Sequence, residues 1–147
     1  MRCGECGSKE FNVQNVRDKF VMPWKDFPNV LLTEDFDMPV CTKCGNQVIT
    51  GDAVMALNDA LRISLQKTAA ALIRSICDKY EMTLRELSYL TGLTPQYVSM
   101  ILNLKKVPAY QLVKLLEIIY AHPEILAEMQ RDWKKAEEKG AALRICP

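Results

Sequence analysis

Apolar and polar positions follow one pattern in the first third of this chain and another in the rest, with the change near residue 50. Upstream, short apolar runs broken by prolines and polar turns predict strands at residues 11–16, 20–24, 30–33 and 38–41, with Pro23, Pro28 and Pro39 confining them to edges and turns. Downstream the period becomes helical. Ala53, Leu57, Leu61 and Leu65 recur at helical spacing with Asp52 available as a cap, and Leu72, Ile73, Ile76 and Cys77 continue one face toward Tyr80. Periodicity alone does not decide between one long helix and two over residues 53–80. Residues 83–103 read as helix, tight turn, helix. Thr83 and Glu86 have the spacing of a capping box, Leu87 and Leu90 give a buried stripe, and Gly92 supplies a positive-φ turn. Thr94-Pro95 then caps and starts the next helix, with Val98 and Ile101 facing inward. Residues 109–120 predict a further helix, and residues 131–139 a charged, solvent-facing one.

These elements give an α+β fold class: a small β-rich N-terminal module followed by an all-α helix-turn-helix domain. The expected boundaries are 1–51 for the module, 52–67 for a connecting helix, 68–140 for the helix-turn-helix domain and 141–147 for a flexible tail. All four phenylalanines lie in the module. A unit of about 50 residues still buries too little apolar area to offset its chain entropy, so a further constraint is needed. Of its apolar residues, Val21, Met22, Trp24, Phe27, Val30, Leu31 and Leu32 are numerous enough to form a core and leave some over for a partner surface. The acidic group Glu34, Asp35 and Asp37 reads as a solvated turn.

The further constraint is written in two matched pairs, Cys3-Gly-Glu-Cys6-Gly7 and Cys41-Thr-Lys-Cys44-Gly45. Two residues between thiolates let both face one ion at about 2.3 Å, and the glycine after each second cysteine permits the positive φ of the tight turn. Cys3, Cys6, Cys41 and Cys44 are therefore the expected metal ligands, with Zn2+ the expected ion; iron suits the same S4 geometry. Four thiolates close the tetrahedron, so the metal is structural and no water is left to activate. Two disulfides would use the same residues, but no charged-then-apolar leader pattern opens the chain. A redox CxxC would open a helix, whereas these are followed by glycine and polar residues. Cys77 reads as a small core residue and Cys146 as part of the tail. The single histidine, His122, has no nucleophile and acid to form a catalytic set with, so no enzyme is expected.

Charge leaves the partner open. The net charge is +1, with six basic and eight acidic residues in 1–52 and near balance elsewhere, so binding to an anionic partner must rest on local placement. No apolar run approaches a membrane span, and the expectation is a soluble cytoplasmic protein. In a helix-turn-helix the second helix enters the major groove of double-stranded DNA, which makes Thr94, Pro95, Gln96, Tyr97, Ser99, Met100 and Asn103 contact candidates. The Gln96 amide can pair bidentately with adenine N6 and N7, Ser99 and Tyr97 can reach phosphate or base edges, and Met100 can touch a thymine methyl. Lys105 and Lys106, just past the helix, are placed to neutralise phosphates. No Arg or Lys lies between Thr94 and Asn103, so counterion release must come from these lysines, Arg85, Arg74 or Lys79. A homodimer would double the contacts and suit a palindromic operator with half-sites about 34 Å apart. Leu112, Leu115, Leu116, Ile119, Ile125, Leu126 and Met129 offer apolar surface for it, or for the core.

Taken together, the cysteine pairs, the motif over residues 83–108 and the stretch from Lys114 to Leu126 resemble the MqsA-type antitoxins, which join a CxxC/CxxC zinc module to an Xre-like helix-turn-helix. The resemblance implies a structural zinc, a toxin docked largely through the N-terminal module, dimerisation through the C-terminal domain and repression of the protein's own operon. Two base-contacting positions of that family correspond to Gln96 and Met100, where the family has Asn and Arg. The first change keeps an amide reader; the second removes a guanidinium, so the operator must differ. Two other readings compete with an antitoxin-like regulator: a stand-alone regulator of a phage or mobile element without a toxin, and a rubredoxin-like iron electron carrier fused to a helical domain.

Overall fold

The computed structural model describes residues 1–138, without the side chains of residues 136 and 137. The expected tail at 141–147, with Cys146, lies outside them. The chain divides into two compact units, Met1–Leu65 and a second beginning at Gln66.

The first unit holds two antiparallel ribbons. Strands β1 (Phe11–Asn15) and β4 (Asp37–Cys41) pair from Phe11 opposite Cys41 to Asn15 opposite Asp37. Strands β2 (Val21–Trp24) and β3 (Phe27–Leu31) form a hairpin with a register slip between Met22 and Trp24. The third strand thus begins three residues earlier than the apolar pattern implies. A strand with one neighbour tolerates a proline, so Pro28 does not delay it. Each ribbon is extended by one further bond, the Val16 amide donating to the Phe36 carbonyl (2.9 Å) and that of Leu32 to Phe20 (2.9 Å), and the Asp18 amide links them by donating to the Leu32 carbonyl (2.7 Å).

Helix α1 (Val54–Lys79) answers the question left open by periodicity: it is one continuous helix of 26 residues. Its entry is a short 3-10 turn, Gly51–Ala53, with Thr50 at the N-cap position making no side-chain cap bond. Asp52 therefore lies inside the turn as an acidic residue near the helix start, not as the expected cap. Leu57, Leu61 and Leu65 are buried with Trp24, Phe27, Val30 and Leu32 in the first unit. Polar bonds fix the same face: the Trp24 indole donates to Asn58 Oδ1 (2.7 Å) and the Thr33 amide to Ser64 Oγ (2.9 Å). Of the apolar hairpin residues, Val21 and Leu31 stay exposed, as a cross-strand pair.

In the second unit follow α2 (Leu84–Thr91), α3 (Pro95–Leu102), α4 (Tyr110–Ala121) and α5 (Pro123–Glu138). Thr83 and Glu86 form the capping box, with Oγ1 of Thr83 accepting from the Glu86 amide at 3.1 Å and the Glu86 carboxylate from the Thr83 amide at 3.3 Å. Three successive helices end in the same way. The amide of Met82 donates to Cys77, that of Leu93 to Ser88 and that of Lys105 to Met100, each closing over a left-handed residue: Glu81, Gly92 and Leu104. The end of α4 is closed from another helix, where Lys79 Nζ donates to the Tyr120 carbonyl (2.7 Å) and the Tyr80 hydroxyl to Ile119 (3.1 Å). The charged segment expected at residues 131–139 is, as far as Glu138, the end of α5, residue 139 lying outside the described residues, and its Trp133 stacks on Tyr89 with ring centroids 5.3 Å apart. That stack makes this stretch a packing face as well as a solvated one.

Candidate metal centre and nucleic-acid interface

Pairing of β1 with β4 decides where the cysteines go. Cys41 ends β4 opposite Phe11 at the start of β1, and the Thr42 amide donates to the Glu10 carbonyl (3.1 Å), carrying the pairing one step further. The Cys3–Cys6 turn precedes β1 and the Cys41–Cys44 turn follows β4, so both arrive at one end of the ribbon. Each turn is built alike. The Gly7 amide donates to the Cys3 carbonyl and the Gly45 amide to the Cys41 carbonyl, both at 2.9 Å, with φ +73° and +74° at the two glycines. The Cys3 and Cys41 amides close the turns from the other side, onto the Ser8 and Asn46 carbonyls at 2.8 Å.

The four Sγ atoms lie within 4.8 Å of one another, and the closest pairs, Cys3–Cys44 and Cys6–Cys41, are 3.5 Å apart. A tetrahedral ion with thiolates at about 2.3 Å would space them about 3.8 Å apart, so the donor set fits a four-coordinate metal. Cys3 and Cys41 are buried, Cys6 and Cys44 exposed. Asn46 Nδ2 points at Cys3 Sγ from 3.7 Å, the kind of outer hydrogen bond that steadies a metal-binding thiolate.

Electrostatics point the same way. The backbone N–H of Cys6 lowers the Cys3 thiol to about 6, against partial burial, with further help from the Glu5 backbone and Cys44. At Cys44 the Asn46 backbone pulls downward, but the neighbouring Cys3, burial, Cys6 and Cys41 outweigh it and push the thiol up to about 12. Cys41 is lowered, first by the Cys44 backbone, while Cys6 ends up raised because Cys41 and burial overcome the Ser8 backbone. Four sulfurs this close cannot all ionise unless a cation replaces the shared protons. Cys77 is different in kind: burial raises its thiol, with Asp78 and Glu86 adding to the shift, which makes it unreactive.

Along α3, Val98 and Ile101 face the core while Thr94, Gln96, Ser99 and Asn103 are exposed and Tyr97 and Met100 half-buried. Thr94 Oγ1 caps the helix by accepting from the Tyr97 amide (3.1 Å), and Asn103 Nδ2 donates to Ser99 Oγ (3.2 Å). Lys105 and Lys106 are exposed just beyond, with the Lys106 ammonium 5.0 Å from the centre of the Tyr97 ring. Arg85 donates to the Tyr89 hydroxyl (2.7 Å), and Lys79 is committed to the end of α4, so Lys79 is withdrawn as a phosphate contact. Of the apolar residues considered for a dimer, Leu112, Leu116, Ile119 and Leu126 are core and Leu115, Ile125 and Met129 are half-buried; Ile118 and Tyr120, which that expectation did not include, are exposed on α4. His122, at the turn between α4 and α5, pairs with Glu124 at 3.1 Å. Sequence periodicity missed Gln66, which is buried on α1 and donates to the Leu104 carbonyl at 3.2 Å.

Comparison with known proteins follows the same outline. The sequence model for the antitoxin component of the bacterial toxin-antitoxin system, MqsA, matches residues 1–130. No curated protein matches the chain. Among the described residues no helix is long and apolar enough to cross a membrane.

Proposed function

The chain belongs to the MqsA antitoxin family, and on that premise we propose that it is a DNA-binding autoregulator that also holds a cognate toxin. In this reading Cys3, Cys6, Cys41 and Cys44 hold a structural Zn2+, whose charge lets all four thiols ionise and fixes the two turns at the end of the β1–β4 ribbon. The first unit carries the toxin. A groove of about 410 Å³ lined by Met22, Pro23, Trp24, Ile49, Val54 and Leu57, with Met55 exposed beside Val54, supports a protein partner there.

The observation that carries the DNA reading is the division of α3. One side is core at Val98 and Ile101, and the other presents Gln96, Ser99 and Asn103 to solvent with Lys105 and Lys106 after the helix. A helix buried on both sides could not enter a groove. In the major groove Gln96 reads adenine, Met100 offers an apolar contact to a thymine methyl, and Lys105 and Lys106 take phosphates. A homodimer through exposed Ile118 and Tyr120 with the half-buried Leu115 would present two such helices to a palindromic operator and repress the gene from which the protein is made.

Two substitutions separate the roles. Gln96→Ala is expected to cost about 1–3 kcal/mol on cognate DNA and to relax one base position, whereas Lys105→Ala weakens cognate and random DNA alike and lowers the salt slope by about 1. Equal losses on both DNAs for both variants would show that Gln96 reads no base.

A further inference from the structure

We propose that Gln66 is a positioning residue for the phosphate-facing lysines that follow α3, a role that rests on the DNA-binding reading above. Gln66 is 3% exposed, and a glutamine is rarely so buried without a fixed partner. Its Nε2 donates to the carbonyl of Leu104, 38 residues along the chain, at 3.2 Å. Leu104 has φ +57°, a left-handed conformation that disfavours a side chain with a Cβ and is usually given to glycine.

The peptide between Leu104 and Lys105 is thereby held at both of its polar ends. Its carbonyl accepts from Gln66, and its N–H, on Lys105, donates to the Met100 carbonyl at 2.9 Å. A second bond, from the Leu104 amide to Ile101 at 3.1 Å, secures the same turn. Lys105 and Lys106 thus leave the end of α3 in a set direction, with Lys106 over the Tyr97 ring. Ordering the backbone before DNA arrives reduces the entropy lost on engaging phosphate, so Gln66 adds sequence-independent affinity without reading a base.

The test uses the full chain with Gln66→Met, which keeps the length and apolar stem of the side chain but removes the donor. Hydrogen exchange at the Lys105 amide and binding to the gene's own upstream DNA and to scrambled DNA over a range of salt are measured together. Exchange at Lys105 should quicken about tenfold, and affinity for both DNAs should fall by a similar factor of about three to ten. The slope of log K against log salt should flatten by about 1, with the cognate preference unchanged. Adding Leu104→Gly should recover part of the loss, since glycine takes the left-handed conformation without strain. An unchanged salt slope, unchanged Lys105 exchange, or a loss confined to cognate DNA would overturn the positioning role. If the wild-type protein binds neither DNA, the DNA reading itself fails and this role falls with it. That result is distinct from a wild-type that binds beside a Gln66→Met variant with an unaltered slope.

Discussion

Stripping the metal with a strong chelator is expected to undo the first unit while leaving the helices of the second in place. Structural zinc sites of this kind supply about 10–16 kcal/mol of apparent binding free energy, which is as large as the whole stability of an ordinary domain. Without the ion, four sulfurs within 4.8 Å of one another must share protons, and the two glycine turns keep their own backbone bonds but lose the ion that holds one against the other. The β1–β4 ribbon is two-stranded, with a single further bridge from Val40 to Gln47, so its pairing is marginal without that clamp. Cys41→Ser should act in the same direction, because it replaces a buried thiolate at the junction of ribbon and turn. The measurement is Trp24 emission, in a Trp133→Phe background, followed together with far-ultraviolet circular dichroism. Trp24 is 6% exposed, so a red shift with most helical signal retained is expected. Unaltered emission after the metal has been shown to leave would mean that the apolar core of the unit suffices by itself.

The second large effect is expected at Ile101. This side chain is fully buried on the inner side of α3, two residues from exposed Ser99 and exposed Asn103. Truncation to alanine removes three heavy atoms from a close-packed interior and should cost about 2–5 kcal/mol, against a domain stability of about 5–15 kcal/mol. Ser99→Ala, on the outer side, should stay within about 0.5 kcal/mol apart from its bond with Asn103. Denaturant unfolding of both variants checks the contrast. A cost below about 1 kcal/mol for Ile101→Ala would mean that α3 is not seated as described, and the exposed reading side would lose its basis.

Much of this was legible because the chain marks it with residues of narrow conformational use. The capping box at Thr83 and Glu86, the turn at Gly92 and the cap at Thr94 could be placed from sequence because each residue type does there what few others do. The cysteine pairs converge as their spacing implies, because strand pairing of β1 with β4 returns the chain to its start. The misses have a common cause. Glu81 and Leu104 end helices in the left-handed conformation without being glycine, so the residue type that usually marks such an end is absent there. Gln66, Lys79 and Tyr80 act on carbonyls about 40 residues away, and their roles exist only once the helices have assembled. The apolar surplus of α4 and α5 could not be divided in advance, because periodicity says which side is apolar but not how much of it a neighbour will cover.

The central claim is that α3 is a reading helix with a phosphate clamp at its end. The most direct test is binding of the metal-loaded protein to its own upstream DNA and to scrambled DNA of equal length across several salt concentrations. A large cognate preference together with a steep fall of affinity with salt is the expected result. Equal affinity for the two DNAs at every salt would contradict the claim and leave protein binding by the first unit as the function of the chain.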